Sequence, residues 1–250
     1  MVILKTVRDI AKMRDAGRIA QRALREAGKA VEPGVSTLEL DSIVRSYIEK
    51  QGATPSFLGY GGFPASACIS VNNVVIHGIP GSDTILRNGD IVSIDVGAYY
   101  EGFHGDNALT FPCGDISKEA QALLDATQGA LFEGIRKALA GSTTGDIGHA
   151  VQRYAEARSY SVVRDFVGHG VGAQLHADPK VPNYGTPGHG VRLLPGMVIA
   201  IEPMVNQGTR RVRVLQDKWT TVTADGKLSA HFEHTIAITS NGPVILTRPD

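Results

Sequence analysis

One internal correspondence constrains this chain more than any other feature. A shift of 107 positions lays part of the first half on the second, placing Gly34 on Gly141, Thr37 on Thr144, Val44 on Val151, Tyr47 on Tyr154 and Glu49 on Glu156. The same shift lays GDIVSID (89–95) on GMVIAIE (196–202), so Gly89 meets Gly196, Ile94 meets Ile201 and Asp95 meets Glu202. An unchanged offset over two separate stretches predicts two similar halves, roughly 1–115 and 116–250, about an approximate two-fold axis within a single domain. Each half then ends an equivalent apolar strand on a carboxylate.

Local patterns fill in those halves. Ile10, Met13, Ile19, Ala20, Ala23, Leu24 and Ala27 follow the helical period and predict a helix over 7–30. Pro33-Gly34 ends it, and Ser36 with Glu39 forms a capping box for a second helix over 37–50. β-like runs come next, at 67–72, 74–79, 90–100 and 107–112. The order then restarts, with helices expected at 117–140 and 144–157 and β-like runs at 161–167, 197–205 and 234–240. The class is α+β, in two alpha-alpha-beta halves.

Composition removes several alternatives. The 25 basic and 25 acidic residues cancel, against the basic footprint of a dedicated nucleic-acid binder. Two cysteines, Cys68 and Cys113, can build neither a disulfide framework nor a paired zinc motif, which fits a reducing cytosol; Cys113 reads as a packed thiol. No run approaches the ~20 apolar residues of a membrane span. The N-terminus has no signal-peptide core, and Asp9 and Asp15 count against a transit peptide. A cytoplasmic protein is expected.

The chemistry gathers in four stretches. In IDVGAYYEGFHGD (94–106), a strand carrying Asp95 turns at Glu101-Gly102 and returns to Asp106. Two close carboxylates need a shared proton or a cation. In FVGHGVG (166–172), His169 lies between two glycines that permit close backbone approach; His176 comes seven residues on, a spacing unlike HExxH. Glu202 ends an apolar run before Pro203, and Glu233 lies between His231 and His234. Four carboxylates and one imidazole, without thiolate, suit divalent manganese, iron, cobalt or catalytic zinc. Five ligands exceed the need of one catalytic ion and point to a two-metal site that holds hydroxide near neutral pH. The class is metal-assisted hydrolysis.

These residues lie in CISVNNVVIHGIP (68–80), GDIVSIDVGAYYEGFHGD (89–106), GHGVGAQLH (168–176), GMVIAIEP (196–203) and HFEHT (231–235). Taken together, the five motifs closely resemble those of type I methionine aminopeptidases, over essentially the whole chain. The resemblance implies a pita-bread fold, two pseudo-symmetric halves with a curved antiparallel sheet covered by helices, which agrees with the repeat. It implies two divalent ions, with Asp95 as the bidentate ligand of one, Asp106 and Glu233 bridging, and His169 and Glu202 completing the second. It makes Glu202 the proton shuttle, His77 the group that polarises the scissile carbonyl, and His176 the histidine near the scissile amide.

The resemblance extends to the substrate pocket. Tyr60, Phe63, Cys68 and Trp219 match positions around the methionine side chain, and Phe57 and Leu175 also fall at pocket positions. Phe57 stands where some members have cysteine, Phe63 where some have tyrosine, and Leu175 where some have a larger residue. Asn72, Val74 and Ser229 match a monovalent-cation site of some relatives. Glu202 follows His176 by only 26 positions, so the large insertion of type II enzymes is absent. The implied activity is removal of N-terminal methionine from nascent polypeptides at the ribosome by a monomeric enzyme, with a small second residue preferred. Prolidase and aminopeptidase P share the implied fold and metal set, and a non-catalytic binding protein on the same scaffold is the other alternative; cleavage of Xaa-Pro peptides and metal content separate them.

Overall fold

Four helices and a series of short antiparallel strands make up the computed structural model, which describes residues 2–248. The helices are α1 (Val7–Lys29), α2 (Thr37–Lys50), α3 (Lys118–Lys137) and α4 (Thr144–Glu156). Each begins on a hydroxyl that accepts a backbone N–H three residues ahead: Thr6 from Asp9, Ser36 from Glu39, Ser117 from Ala120 and Thr143 from Asp146. In α1, α2 and α4 the acidic side chain at that third position also accepts the N-cap amide, closing a capping box. α3 stops three residues short of the expected 140, because Ala138 leaves helical conformation (φ −76°, ψ 53°). The Gly141 N–H then donates to the Leu193 carbonyl, at 2.8 Å.

The repeat reappears as paired hydrogen bonds. Gly34 N–H donates to Leu86 O (2.9 Å) and Gly141 N–H to Leu193 O (2.8 Å). Thr37 N–H donates to Thr84 O (3.0 Å) and Thr144 N–H to Val191 O (2.9 Å). The isolated bridges Ser36–Ile85 and Thr143–Arg192 obey the same offset. Two cores match these halves. Leu40, Val44, Ile48 and Ile94 share one, and Ile147, Val151, Ile201 and Ile236 share the other. Each such fully buried side chain contributes roughly 1.5–3 kcal/mol relative to exposure.

Strands differ from their expected extents where pairing is not local. The run 161–167 is a strand only at Ser161–Val162, after which Val163 and Phe166 join a small cluster with Ile76 and Met204. The run 197–205 is two strands, Val198–Ile201 and Met204–Asn206. Pro203 between them has no N–H to donate, so the ladder breaks there. The first of the two pairs with His234–Thr239 and the second with Ser229–His231.

The hairpin Ile91–Tyr100/Phe103–Pro112 is the long ladder of the first half, extended by Cys68–Val71. α1 crosses it so closely that a Cβ on Gly105 would collide with the backbone of Gly17. The halves meet beside that crossing. The Thr235 hydroxyl accepts the Asp106 N–H (3.1 Å) and donates to the Asp106 carbonyl (2.7 Å), while the Glu233 N–H donates to Ala108 O (2.8 Å). No helix of the described residues is long and apolar enough to cross a membrane.

Candidate active site

The hairpin register brings Asp95 and Asp106 together. Asp95 lies opposite Ala108, and Asp106 opposite Gly97, two residues along from Asp95. Alternation puts both carboxylates on one face as diagonal neighbours. The seam adds Glu233, and the strand Val198–Ile201 ends on Glu202, whose carbonyl accepts a hydrogen bond from the Asn183 amide (3.0 Å). His169 arrives from Gly168–Gly170, which lies so close to its neighbours that a Cβ on Gly170 would strike the Asp178 carbonyl.

Ligand atoms of Asp106, His169 and Glu233 all lie within 4.8 Å of one another. His169 Nδ1 is 3.0 Å from the Gly170 carbonyl, which can only accept, so Nδ1 carries the hydrogen. The lone pair of Nε2 therefore faces inward, 3.8 Å from Asp106 Oδ2 and 3.6 Å from Glu202 Oε1. Burial lowers the His169 pKa to about 3, so the ring is neutral, the form a metal ligand needs.

Several of the carboxylate oxygens lack a protein partner. Among the described residues, Asp95 Oδ1, Asp106 Oδ1 and Glu233 Oε1 are buried without a hydrogen bond, and no lysine or arginine lines the cavity they face. Desolvation raises Asp95, Glu202 and Glu233 well above the usual carboxylate range, with neighbouring carboxylates adding to it, and raises Asp106 to about 7. Two buried acids, Asp106 and Glu233, and two half-buried ones, Asp95 and Glu202, converge without a basic side chain, an arrangement that suits a bound cation. Oxygen donors with one imidazole fit a divalent ion of the manganese, iron, cobalt or zinc kind.

A cavity of about 150 Å³ opens on these groups. Phe57, Tyr60, Phe63, Cys68 and Trp219 wall it, and His77 and His176 line it beside the acids. Phe63 and Trp219 meet edge to face, 5.2 Å between ring centres. Leu175, expected at the pocket, does not line the cavity: it is buried behind the wall, packed in one cluster with Phe57, Phe63 and Cys68. His176 Nδ1 is 2.8 Å from the Tyr60 hydroxyl. His77 adopts a left-handed backbone (φ 57°), and its ring stands edge-on to Phe166 and Trp219. Burial lowers its pKa to about 4. A wider groove of about 820 Å³ shares His169 and His176 with the cavity and runs past Phe103 to residues 3–5. It is the larger hollow, but the acids do not converge there.

Asn72 and Ser229 are in direct contact, the Ser229 N–H donating to the Asn72 carbonyl at 2.9 Å, and Val74 pairs with Val222 on the adjoining ladder. The Asn72 side chain is engaged by Asp90 and by the Ile91 N–H. Cys113 is a buried free thiol in the core of the first half.

Sequence reasoning does not single out His231. Its Nε2 is buried, has no hydrogen bond and lies 3.7 Å from Glu202 Oε2. The signal is present: His231 precedes Glu233 by two residues, a spacing that shares one face in extended chain.

Residues 11–240 match the metallopeptidase family M24. The chain is 54% identical to methionine aminopeptidase 1 of Bacillus subtilis, covering 99% of this chain and 100% of that one. It is 56% identical to a methionine aminopeptidase of Clostridium perfringens, over 99% of each chain. The crystal structure of a methionine aminopeptidase from Thermotoga maritima superposes with a TM-score of 0.98 at 45% identity, covering 100% of both chains. By its pita-bread architecture, its acidic centre and these likenesses, the chain belongs to metallopeptidase family M24, on its methionine aminopeptidase branch.

Proposed function

We propose that this enzyme removes the N-terminal methionine from nascent polypeptides, preferring a small second residue, with one catalytic domain over 1–250 acting as a cytoplasmic monomer. The observation that carries this reading is the acidic centre at the floor of a narrow cavity with an aromatic wall. Asp95, Asp106, His169, Glu202 and Glu233 are the residues that would hold two divalent ions. When bound, such ions supply Lewis-acid polarisation and a water activated near neutral pH. Asn72, Val74 and Ser229 are the positions for a monovalent cation, through backbone carbonyls.

The side chains of the cavity do the rest. A thioether is long, unbranched and polarisable, and aromatic edges such as those of Phe63 and Trp219 suit it. Glu202 lies between His169 and His231, where its carboxylate is placed to take a proton from the attacking water and pass it to the leaving amine. Neutral His77 donates a hydrogen bond where negative charge develops on the carbonyl oxygen. His176, held by Tyr60, faces the leaving side. The rest of the polypeptide leaves along the wider groove that begins at His176.

Peptides test this directly. Methionine release from Met-Ala-Ser but not from Met-Lys-Ser, with Ala-Pro left uncleaved, is expected. Cleavage of Ala-Pro in preference to Met-Ala-Ser would replace the reading with a prolidase-like one.

A further inference from the structure

The cavity wall is built from a segment poorly suited to hold a shape. Residues 56–67 read SFLGYGGFPASA, and Gly59, Gly61 and Gly62 all have positive φ (80°, 56° and 90°). Such glycines lose the most backbone entropy when fixed. Inside the segment the backbone hydrogen bonds are local, Gly59 N–H to Phe63 O (2.8 Å) and Tyr60 N–H to Phe57 O (2.9 Å), while the Tyr60 and Phe63 side chains reach beyond it, to His176 and Trp219. Its two ends are fastened elsewhere. At one, the Ser56 N–H donates to Gly97 O (2.9 Å) and the Ser56 hydroxyl meets His104 Nδ1 (2.8 Å).

At the other end the fastening is a buried acid. The consecutive N–H groups of Ser66 and Ala67 both donate to Asp41 Oδ1, each at 2.8 Å. Asp41 lies on α2 and is 8% exposed, while Ser66 and Ala67 are 1% and 0% exposed. Its helix packs Leu40, Val44 and Ile48 into the first core, so an aspartate there carries a desolvation cost that an apolar residue would not. Burial raises its pKa although both amides act the other way. The hydrolytic chemistry uses none of this. The residue directly after the clamped pair is Cys68, a cavity residue paired with Asp95, and Phe63 lies three residues before Ser66.

We propose that Asp41 is a positioning residue for the side-chain pocket: by clamping the Ser66 and Ala67 amides it sets where Phe63 and Cys68 stand, and so selects a long unbranched side chain over a branched one. This rests on the methionine-releasing reading.

The test is the kcat and KM of Asp41→Ala and Asp41→Asn for Met-Ala-Ser and Leu-Ala-Ser. Asparagine keeps a carbonyl oxygen able to accept both amides. Asp41→Ala is expected to raise KM for the methionyl peptide and to narrow the methionine-over-leucine ratio of kcat/KM by about tenfold, with kcat changed by less than about threefold. Asp41→Asn is expected to restore the wild-type ratio. An unchanged ratio in Asp41→Ala, or a loss confined to kcat, overturns the proposal. If Asp41→Ala does not fold, Asp41→Glu, which keeps the charge but lengthens the arm, should narrow the same ratio, and an unchanged ratio there overturns it. Amide exchange over 57–67 needs no turnover: faster exchange in the alanine or glutamate variant supports the clamp, and unchanged exchange refutes it. Absence of methionine release by the wild type refutes the functional reading instead.

Discussion

Glu202 holds a carboxyl between two imidazoles, 3.6 Å from His169 and 3.7 Å from His231, at the end of an apolar strand. Glu202→Gln keeps the shape and removes the proton-carrying function. It should lower kcat by about 10²–10⁴-fold with little change in fold; near-wild-type turnover would contradict the assignment. His77 has a left-handed backbone that asparagine tolerates well. His77→Asn should therefore fold and lose about 10²-fold or more in kcat. It should also change the pH dependence of stability. The folded pKa of His77, about 4, lies below the ordinary 6.5. Between those values the unfolded chain binds more protons, so this contribution is full above 6.5 and is lost as pH falls toward 4. Urea midpoints should fall more between pH 7 and pH 5 in wild type than in His77→Asn; parallel slopes would contradict it. Taken singly, a histidine between glycines or a pair of turn aspartates has common structural uses; the candidate centre is legible in sequence because four carboxylates and one imidazole lie in ordered motifs. His231 does not stand out because its partner Glu202 comes from a different strand. Leu175 lies one layer behind its expected place, since motif position does not distinguish a cavity wall from the packing behind it.

The helices are readable because their determinants are local. Period, cap and stop signal sit within one stretch of chain, and α2 begins and ends where Ser36, Glu39 and the break near Gly52 put it. Strands are less so, because a ladder needs a partner distant in sequence. Nothing within 161–167 reveals that only Ser161–Val162 pairs, with Val205 and Asn206. The capping boxes of α2 and α4 are repeats of one device. Ser36→Ala and Thr143→Ala should each cost about 1 kcal/mol, and the double variant about their sum, because the two caps serve separate cores. Urea denaturation measures this, and a double variant no weaker than either single one would contradict independent caps.

Across the molecule, the first half supplies Asp95 and Asp106, and the second supplies His169, Glu202 and Glu233. The acids repel across the seam where Thr235 and Ala108 join the halves. An ion bound there would link the halves, so chelation should lower Tm and added divalent metal should restore it; a Tm indifferent to metal would argue against a centre shared by both halves. The repeat makes this architecture legible from the sequence, whereas the closeness of the acids depends on hairpin register and on the seam. The most direct measurement is methionine release from Met-Ala-Ser by chelated enzyme during titration with manganese, cobalt or iron. Activity absent at the start and rising with bound metal is the predicted result. Full activity in the metal-free enzyme, or none in a folded, metal-loaded one, would contradict it.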